Sequence, residues 1–183
     1  LRALNFCGFT ANKPVIMVIG GSLGSVIVNE AVKSILSELL KSFQVIHLCG
    51  KGKVDPALND LSGYIQFEYV KKELSDLFAL SDLIVSRAGA NAICELLALG
   101  KPNILIPLSV NASRGDQILN ARSFEKQGFS AVIEEEELTK EHLLETIHKV
   151  YSSRNEYIES MKKNDQSNSI DTILKLIDSL TRD

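Results

Sequence analysis

The sequence has few cysteines and no long apolar run, the features of disulfide-rich and of membrane-spanning proteins. Its three cysteines, Cys7, Cys49 and Cys94, are odd in number, far apart and without metal-ligand spacing. That usage is typical of a reducing compartment and argues against a disulfide framework. No apolar run approaches the roughly 18 uninterrupted residues of a membrane span. We therefore expect a soluble, cytoplasmic protein.

A strong charge of either sign is also missing. The formal net charge is -3 and the pI is about 5.7, so no basic field points to nucleic acid or an anionic membrane as a partner. An anionic ligand would need a local binding device. What the sequence does have is length and apolar content: 183 residues, 45% of them hydrophobic, suffice for one compact domain.

Short runs rich in valine and isoleucine alternate with longer amphipathic stretches, which is typical of parallel strands covered by helices on both faces. This order predicts a doubly wound, Rossmann-like α/β domain, which binds ligands outside the carboxyl ends of its strands. The expected strands are Val15–Ile19, Gln44–Cys49, Ile65–Tyr69, Leu83–Ser86, Asn103–Ile106 and Ala131–Ile133. The expected helices lie around Ile27–Leu39 and at Glu73–Ser81, Asn91–Leu99, Gln117–Gln127, Lys140–Tyr151, Asn155–Lys163 and Ser169–Leu180.

The loop after the first strand, Gly20 to Ser25, contains three glycines and leads into a helix. Glycines permit a tight turn and close backbone approach, while the helix N-terminus offers amides and a positive dipole end. The spacing is not the dinucleotide fingerprint, and the lysine of a P-loop is missing. Two interpretations stay open: a phosphate site, or an ordinary turn with Ser22 or Ser25 as the helix N-cap.

A second loop of the same design, Ser86 to Asn91, follows the fourth strand. In the helix after it, Glu95 interrupts a run that is otherwise apolar all round, so we expect its carboxylate to be buried and in need of partners. It either pairs with Arg87 or with backbone amides, or it faces the cleft and accepts hydrogen bonds from two vicinal hydroxyls of a ribose.

Polar side chains gather after the fifth strand: Asp116, Gln117 and later Asn120. Asp116 and Gln117 either cap a helix, or the cluster binds sugar hydroxyls. His47 is expected to be a satisfied core or edge residue. The acidic run Glu134 to Glu137 is expected to be a solvated loop, because calcium sites require spaced ligands with a glycine turn.

Three segments together resemble the C-terminal domain of the MurG family, which transfers N-acetylglucosamine from its UDP derivative to the peptidoglycan precursor lipid I. They are GGSLGS at 20–25, SRAGANAICELLALGKPNILIPL at 86–108 and RGDQILNARSFEKQG at 114–128. The resemblance implies the C-terminal half of a GT-B glycosyltransferase. Residues 14–165 would form the UDP-sugar-binding domain, 1–13 a lead-in, and 166–183 a helix that packs toward an N-terminal domain.

The same resemblance implies roles for individual residues. The loop Gly20 to Ser25, called the glycine loop below, would contact the diphosphate, and backbone atoms of Val70 would bind the uracil edge. Glu95 would bind the ribose hydroxyls, and Gln117 would contact the N-acetylglucosamine ring. No metal ion or cofactor is implied. The full set of implied substrate-binding residues is Ser22, Leu23, Gly24, Val70, Arg87, Gly89, Ala90, Asn91, Glu95, Asp116, Gln117 and Asn120.

In this family the N-terminal domain supplies the acceptor site, the catalytic base and the membrane-docking patch, so no catalytic residue is expected in this chain. The complete enzyme would bind UDP-N-acetylglucosamine and lipid I on the cytoplasmic face of the membrane and form lipid II. Three other interpretations stay open: a natural soluble subunit of a two-component UDP-N-acetylglucosamine transferase, a non-catalytic UDP-sugar-binding module, and a UDP-sugar epimerase, for which the loops offer no acid and base pair.

Overall fold

The computed structural model describes residues 2–21, 23–110 and 115–164. Its strands are β1 Val15–Ile19, β2 Gln44–Leu48, β3 Tyr64–Phe67, β4 Leu83–Ser86, β5 Asn103–Leu105 and β6 Ala131–Val132. Its helices are α1 Arg2–Cys7, α2 Val26–Ser42, α3 Leu74–Leu80, α4 Ala90–Ala98, α5 Asp116–Lys126 and α6 Lys140–Ser152, with a further helical segment at 154–164. Short 3-10 turns lie at Pro56–Leu58 and Glu135–Glu137.

The strands form one parallel sheet in the order β3-β2-β1-β4-β5-β6. This is the order of a doubly wound sheet, and the predicted fold class is confirmed. Each predicted strand, and each predicted helix within the described ranges, lies within three residues of its observed bounds. The helix predicted at Ser169–Leu180 lies outside the described residues, as does the segment 166–183.

Side chains of β1 alternate between two cores. Ile16 and Val18 pack with residues of α2 and α6 on one face, while Val15 and Met17 pack with residues of α1, α3 and α4 on the other. Because helices cover both faces, every position of the strand can be apolar, which explains its continuous hydrophobic run. Among the described residues, no helix is both long enough and apolar enough to cross a bilayer.

Helix α2 sets the position of the glycine loop that precedes it. The Ser25 hydroxyl caps the helix by accepting a hydrogen bond from the Val28 amide at 3.3 Å. One face of the helix, including Val32, Ile35 and Leu39, is buried against the sheet and α6. This packing fixes the helix start at the carboxyl end of β1.

No helix was expected within residues 1–13, so α1 is a new element. A six-residue helix is too short to be stable alone. It packs against α3, and Phe6 stacks on Phe67 with ring centroids 5.5 Å apart. Tertiary contacts stabilise it, and local sequence does not reveal them.

Candidate functional site

The loops that follow β1, β4 and β5 meet at one edge of the sheet. The chain proceeds from β1 to β2 and β3 on one side, and from β4 to β5 and β6 on the other, so the connections diverge between β1 and β4 and leave a crevice. A cavity of about 390 Å³ occupies this crevice. A cavity of about 440 Å³ at the β6 edge is larger, so position and not size singles out the first.

Close backbone packing shapes the glycine loop on one side of the cavity. Gly24 has a φ of +70°, and a Cβ there would lie 1.9 Å from the Cys49 carbonyl oxygen. A Cβ on Gly20 would lie 2.5 Å from the amide nitrogen of Ser25. Ser25 is the helix cap, as one of the two interpretations predicted. Leu23 and Gly24 line the cavity, whereas Ser22 lies outside the described residues.

The start of α4 forms the opposite wall. Gly89 is the N-cap residue of this helix, and no described side chain accepts a hydrogen bond from the first amides. Ala90 and Asn91 are exposed, and Gly89 and Ala92 line the cavity. The uncapped amides and the positive end of the helix dipole favour an anionic group at this place.

Arg87 is buried and uses its guanidinium for contacts within the protein. One terminal nitrogen, Nη1, donates to the Ile106 carbonyl oxygen at 3.0 Å, and the other, Nη2, donates to the Ser25 hydroxyl at 2.6 Å. Nη2 also lies 2.5 Å from a carboxylate oxygen of Glu135. Arg87 thus ties the glycine loop to the chain after β5 and forms part of the cavity wall. Its direct contact with substrate stays a prediction.

The acidic run Glu134 to Glu137 is not the solvated loop that was expected, at least in its first half. The Glu135 side chain is only 10% exposed and also accepts from the Ser109 amide at 3.3 Å. Glu134 pairs with Arg122 at 2.7 Å. These basic partners come from distant parts of the chain, so spacing within the run cannot reveal them.

Polar residues of α5 connect the two loops after β4 and β5. The Gln117 side-chain oxygen accepts from the amides of Ala88 at 3.3 Å and Leu108 at 3.1 Å. Asn120 donates to the Ala88 carbonyl at 3.1 Å and so anchors the same loop. The Gln117 amide nitrogen points toward Gly89, and no described residue accepts a hydrogen bond from it. Gln117 therefore retains a donor for a ligand.

Two further residues lie at this edge of the sheet: Asp116, which the sequence predicted as a site residue, and Leu108, which it did not. Asp116 is exposed at the start of α5, and its side chain makes no hydrogen bond or ion pair with any described residue. Leu108, which sequence reasoning missed, lines the cavity from the loop after β5, three residues beyond the end of that strand. Its only signal is its position after a strand.

The expected burial of Glu95 is wrong. Helix α4 buries Ile93 and Leu96, whereas Glu95 and the neighbouring Cys94 are exposed. An apolar run does not reveal which of its residues are covered, and here one face of α4 is open. Arg87 pairs with Glu135 instead, and Glu95 has no hydrogen bond or ion pair to any described residue. Its carboxylate is thus available to a ligand.

Glu95 lines a groove of about 510 Å³ between α3 and α4, together with Lys71 and Phe78. Ala92 of the first cavity precedes Glu95 by three residues, so both lie on one face of α4. The half-buried Val70 directly precedes Lys71 of this groove in the chain. A ligand that reaches from the start of α4 along this face of the helix would meet Glu95.

His47 is a satisfied core residue, as predicted. It is fully buried, with Nδ1 2.9 Å from the Tyr64 hydroxyl and Nε2 2.9 Å from the Asn29 side-chain oxygen. Because that oxygen can only accept, the hydrogen-bond network assigns the ring proton to Nε2. Burial, with a smaller contribution from the charge of Lys33, lowers the pKa of His47 from 6.5 to about 4.

Residues 15–177 match the glycosyltransferase family 28 C-terminal domain. The chain belongs to glycosyltransferase family 28. This family 28 chain is 60% identical over 174 residues to a UDP-N-acetylglucosamine--N-acetylmuramyl-(pentapeptide) pyrophosphoryl-undecaprenol N-acetylglucosamine transferase of Lachnospira eligens, covering 95% of this chain and 49% of the relative. A protein of the same name from Clostridium perfringens is 58% identical, covering 96% and 49%. The chain thus spans about half the length of the curated relatives it matches.

Solved structures agree with the family assignment. The crystal structure of Acinetobacter baumannii MurG superposes with a TM-score of 0.72 at 25% identity and covers 93% of the family 28 chain and 51% of that protein. The glycosyltransferase of kitacinnamycin, at 20% identity, has a TM-score of 0.69, covers 82% and 38%, and supports the fold alone. The resemblance to the MurG family and the GT-B fold drawn from the sequence are confirmed.

Proposed function

We propose that the chain is the donor-binding half of an inverting glycosyltransferase that transfers N-acetylglucosamine from UDP-N-acetylglucosamine to lipid I, giving lipid II for peptidoglycan synthesis. The observation that carries the proposal is the cavity between the glycine loop and the uncapped start of α4. The names of the relatives at 60% and 58% identity support N-acetylglucosamine as the transferred sugar.

The diphosphate would occupy this cavity, facing Leu23 and Gly24 on one side and the first amides of α4, at Ala90 and Asn91, on the other. As the acceptor hydroxyl attacks the anomeric carbon, negative charge develops on the departing diphosphate. Amides and a helix dipole already aimed at that position stabilise the charge without reorganisation. These groups supply the leaving-group stabilisation that the proposal requires of this chain.

The other ends of the donor would be recognised by side chains around the cavity. Glu95 would accept hydrogen bonds from the ribose hydroxyls, and backbone atoms of Val70 would bind the uracil. The Gln117 amide nitrogen would donate to a hydroxyl of the sugar ring, with Asp116 nearby at the exposed start of α5. Asn120 would act by holding the loop after β4.

The relatives are about twice as long as this chain. We assign the lipid I site, the catalytic base and peripheral contact with the cytoplasmic face of the membrane to the part that they have in addition. Transfer by this chain alone is therefore not expected.

A chimera tests the proposed function. The N-terminal half of the Lachnospira eligens relative, joined to this chain, should transfer labelled N-acetylglucosamine from its UDP derivative to lipid I. The separate chain should give no turnover under the same conditions. An inactive chimera that nevertheless folds, or turnover by the chain alone, would contradict the proposed division of roles.

A further inference from the structure

The glycine loop lies against a second loop, which follows β2 and spans Cys49 to Lys53. Gly50 has a φ of +89°, and a Cβ there would lie 2.5 Å from both the Gly24 Cα and the Leu23 carbonyl oxygen. A Cβ on Gly24 would in turn overlap the Cys49 carbonyl. The two backbones touch directly, so the position of one loop determines the position of the other.

Two polar links hold this contact. The Lys53 ammonium donates to the Leu23 carbonyl oxygen at 2.5 Å. Asn29, buried in the first turn of α2, donates to the Cys49 carbonyl oxygen at 2.9 Å. The Lys53 hydrogen bond therefore fixes the middle of the glycine loop, and the Asn29 hydrogen bond fixes the loop after β2.

None of the residues from Cys49 to Lys53 lines the cavity, so this segment can affect a ligand only through the glycine loop or through its charge. Amides that bind phosphate must be held within a fraction of an ångström of their productive geometry. We propose that Gly50 and Lys53 are positioning residues that set the glycine loop for phosphate binding. This inference rests on the proposed function, in which the cavity takes the diphosphate of a nucleotide sugar.

The first test removes the ammonium of Lys53. Lys53→Met keeps the aliphatic stem and should weaken UDP about tenfold, the size of one lost hydrogen bond to a charged group, while leaving uridine affinity unchanged. Lys51→Met is the matched control, because Lys51 lies in the same loop, is exposed and makes no hydrogen bond or ion pair with any described residue. Calorimetry measures UDP binding, and an NMR titration measures the weaker binding of uridine.

The second test introduces a methyl group at the contact. Gly50→Ala should lower the preference for UDP over uridine at least as much as Lys53→Met, because its Cβ displaces Leu23 and Gly24. Gly52→Ala is the matched control: Gly52 also has a positive φ, +70°, but its Cβ would meet nothing within 4 Å. Both alanines carry backbone strain, and only the first moves the glycine loop.

The outcomes separate the possibilities. Unchanged UDP preference in Lys53→Met would overturn the inference, even if Gly50→Ala fails to fold. Equal losses in Lys51→Met and Lys53→Met would overturn it as well, since they would indicate a general effect of charge. An unaltered chain that binds UDP no more tightly than uridine would instead contradict the proposed function and remove the inference with it.

Discussion

Glu95 is an exposed carboxylate on α4, and one substitution there separates its effect on folding from its effect on ligand binding. Because the side chain is exposed and has no partner among the described residues, Glu95→Gln should change the free energy of unfolding by no more than about 0.5 kcal/mol. If the carboxylate accepts from the ribose diol, the same change should weaken UDP binding by roughly 1.5–3 kcal/mol. Thermal unfolding and calorimetry measure the two quantities.

The control for Glu95 is Glu145→Gln, which neutralises an exposed carboxylate on α6. It should leave UDP binding unchanged. The 2′-deoxy analogue of UDP isolates the diol: the parent chain should prefer UDP, and Glu95→Gln should lose most of this preference. A variant that keeps the full preference would rule out the ribose assignment.

His47 makes stability depend on pH. Its folded-state pKa, about 4, lies below the ordinary value of 6.5, so the unfolded chain takes up the proton first as the pH falls. The stabilisation is complete above about pH 6.5 and is lost progressively toward pH 4, by about 3 kcal/mol in total. Urea unfolding between pH 7.5 and 4 should show a steeper loss for the parent chain than for His47→Gln. Equal slopes would contradict this role.

At the scale of elements, the ion pair of Arg87 and Glu135 joins three segments: the loop after β4, the start of α2 and the turn after β6. Both side chains are at most 10% exposed. Arg87→Met would leave the Glu135 carboxylate buried without its cation and should cost about 3–5 kcal/mol of stability.

The double variant Arg87→Met, Glu135→Leu distinguishes loss of the pair from loss of packing. It removes both charges, so its free energy of unfolding should exceed that of Arg87→Met alone. Denaturant unfolding of the parent chain, Arg87→Met, Glu135→Leu and the double variant gives the coupling energy. Additive effects of the two substitutions would show that the pair does not act as a unit.

The elements also show what the sequence could predict. β1 and β4 were found because strands covered on both faces can be apolar at nearly every position, which leaves a clear run. The loops of the site followed from glycines placed after strands. Helix α1, the open face of α4 and the partners of Glu135 could not be predicted, because each depends on which distant segment packs against it.

At the scale of the whole molecule, the sheet architecture is the same as in domains that bind dinucleotides. The end of β2 distinguishes this chain from a dinucleotide-binding domain. A dinucleotide-binding domain places an acidic residue there for the adenosine ribose. In this chain β2 ends at Leu48. The buried Cys49 follows, and then Gly50, which packs against the glycine loop. The sheet therefore presents its glycine loops without the acidic group that NAD requires at the end of β2.

Calorimetric titration of the chain with UDP, UDP-N-acetylglucosamine and NAD tests the central claim most directly. We predict saturable binding of UDP and of UDP-N-acetylglucosamine in the cavity between β1 and β4, with no measurable binding of NAD at the same concentrations. Tight binding of NAD, together with indifference to both uridine nucleotides, would contradict the assignment of this chain as the donor half of a glycosyltransferase.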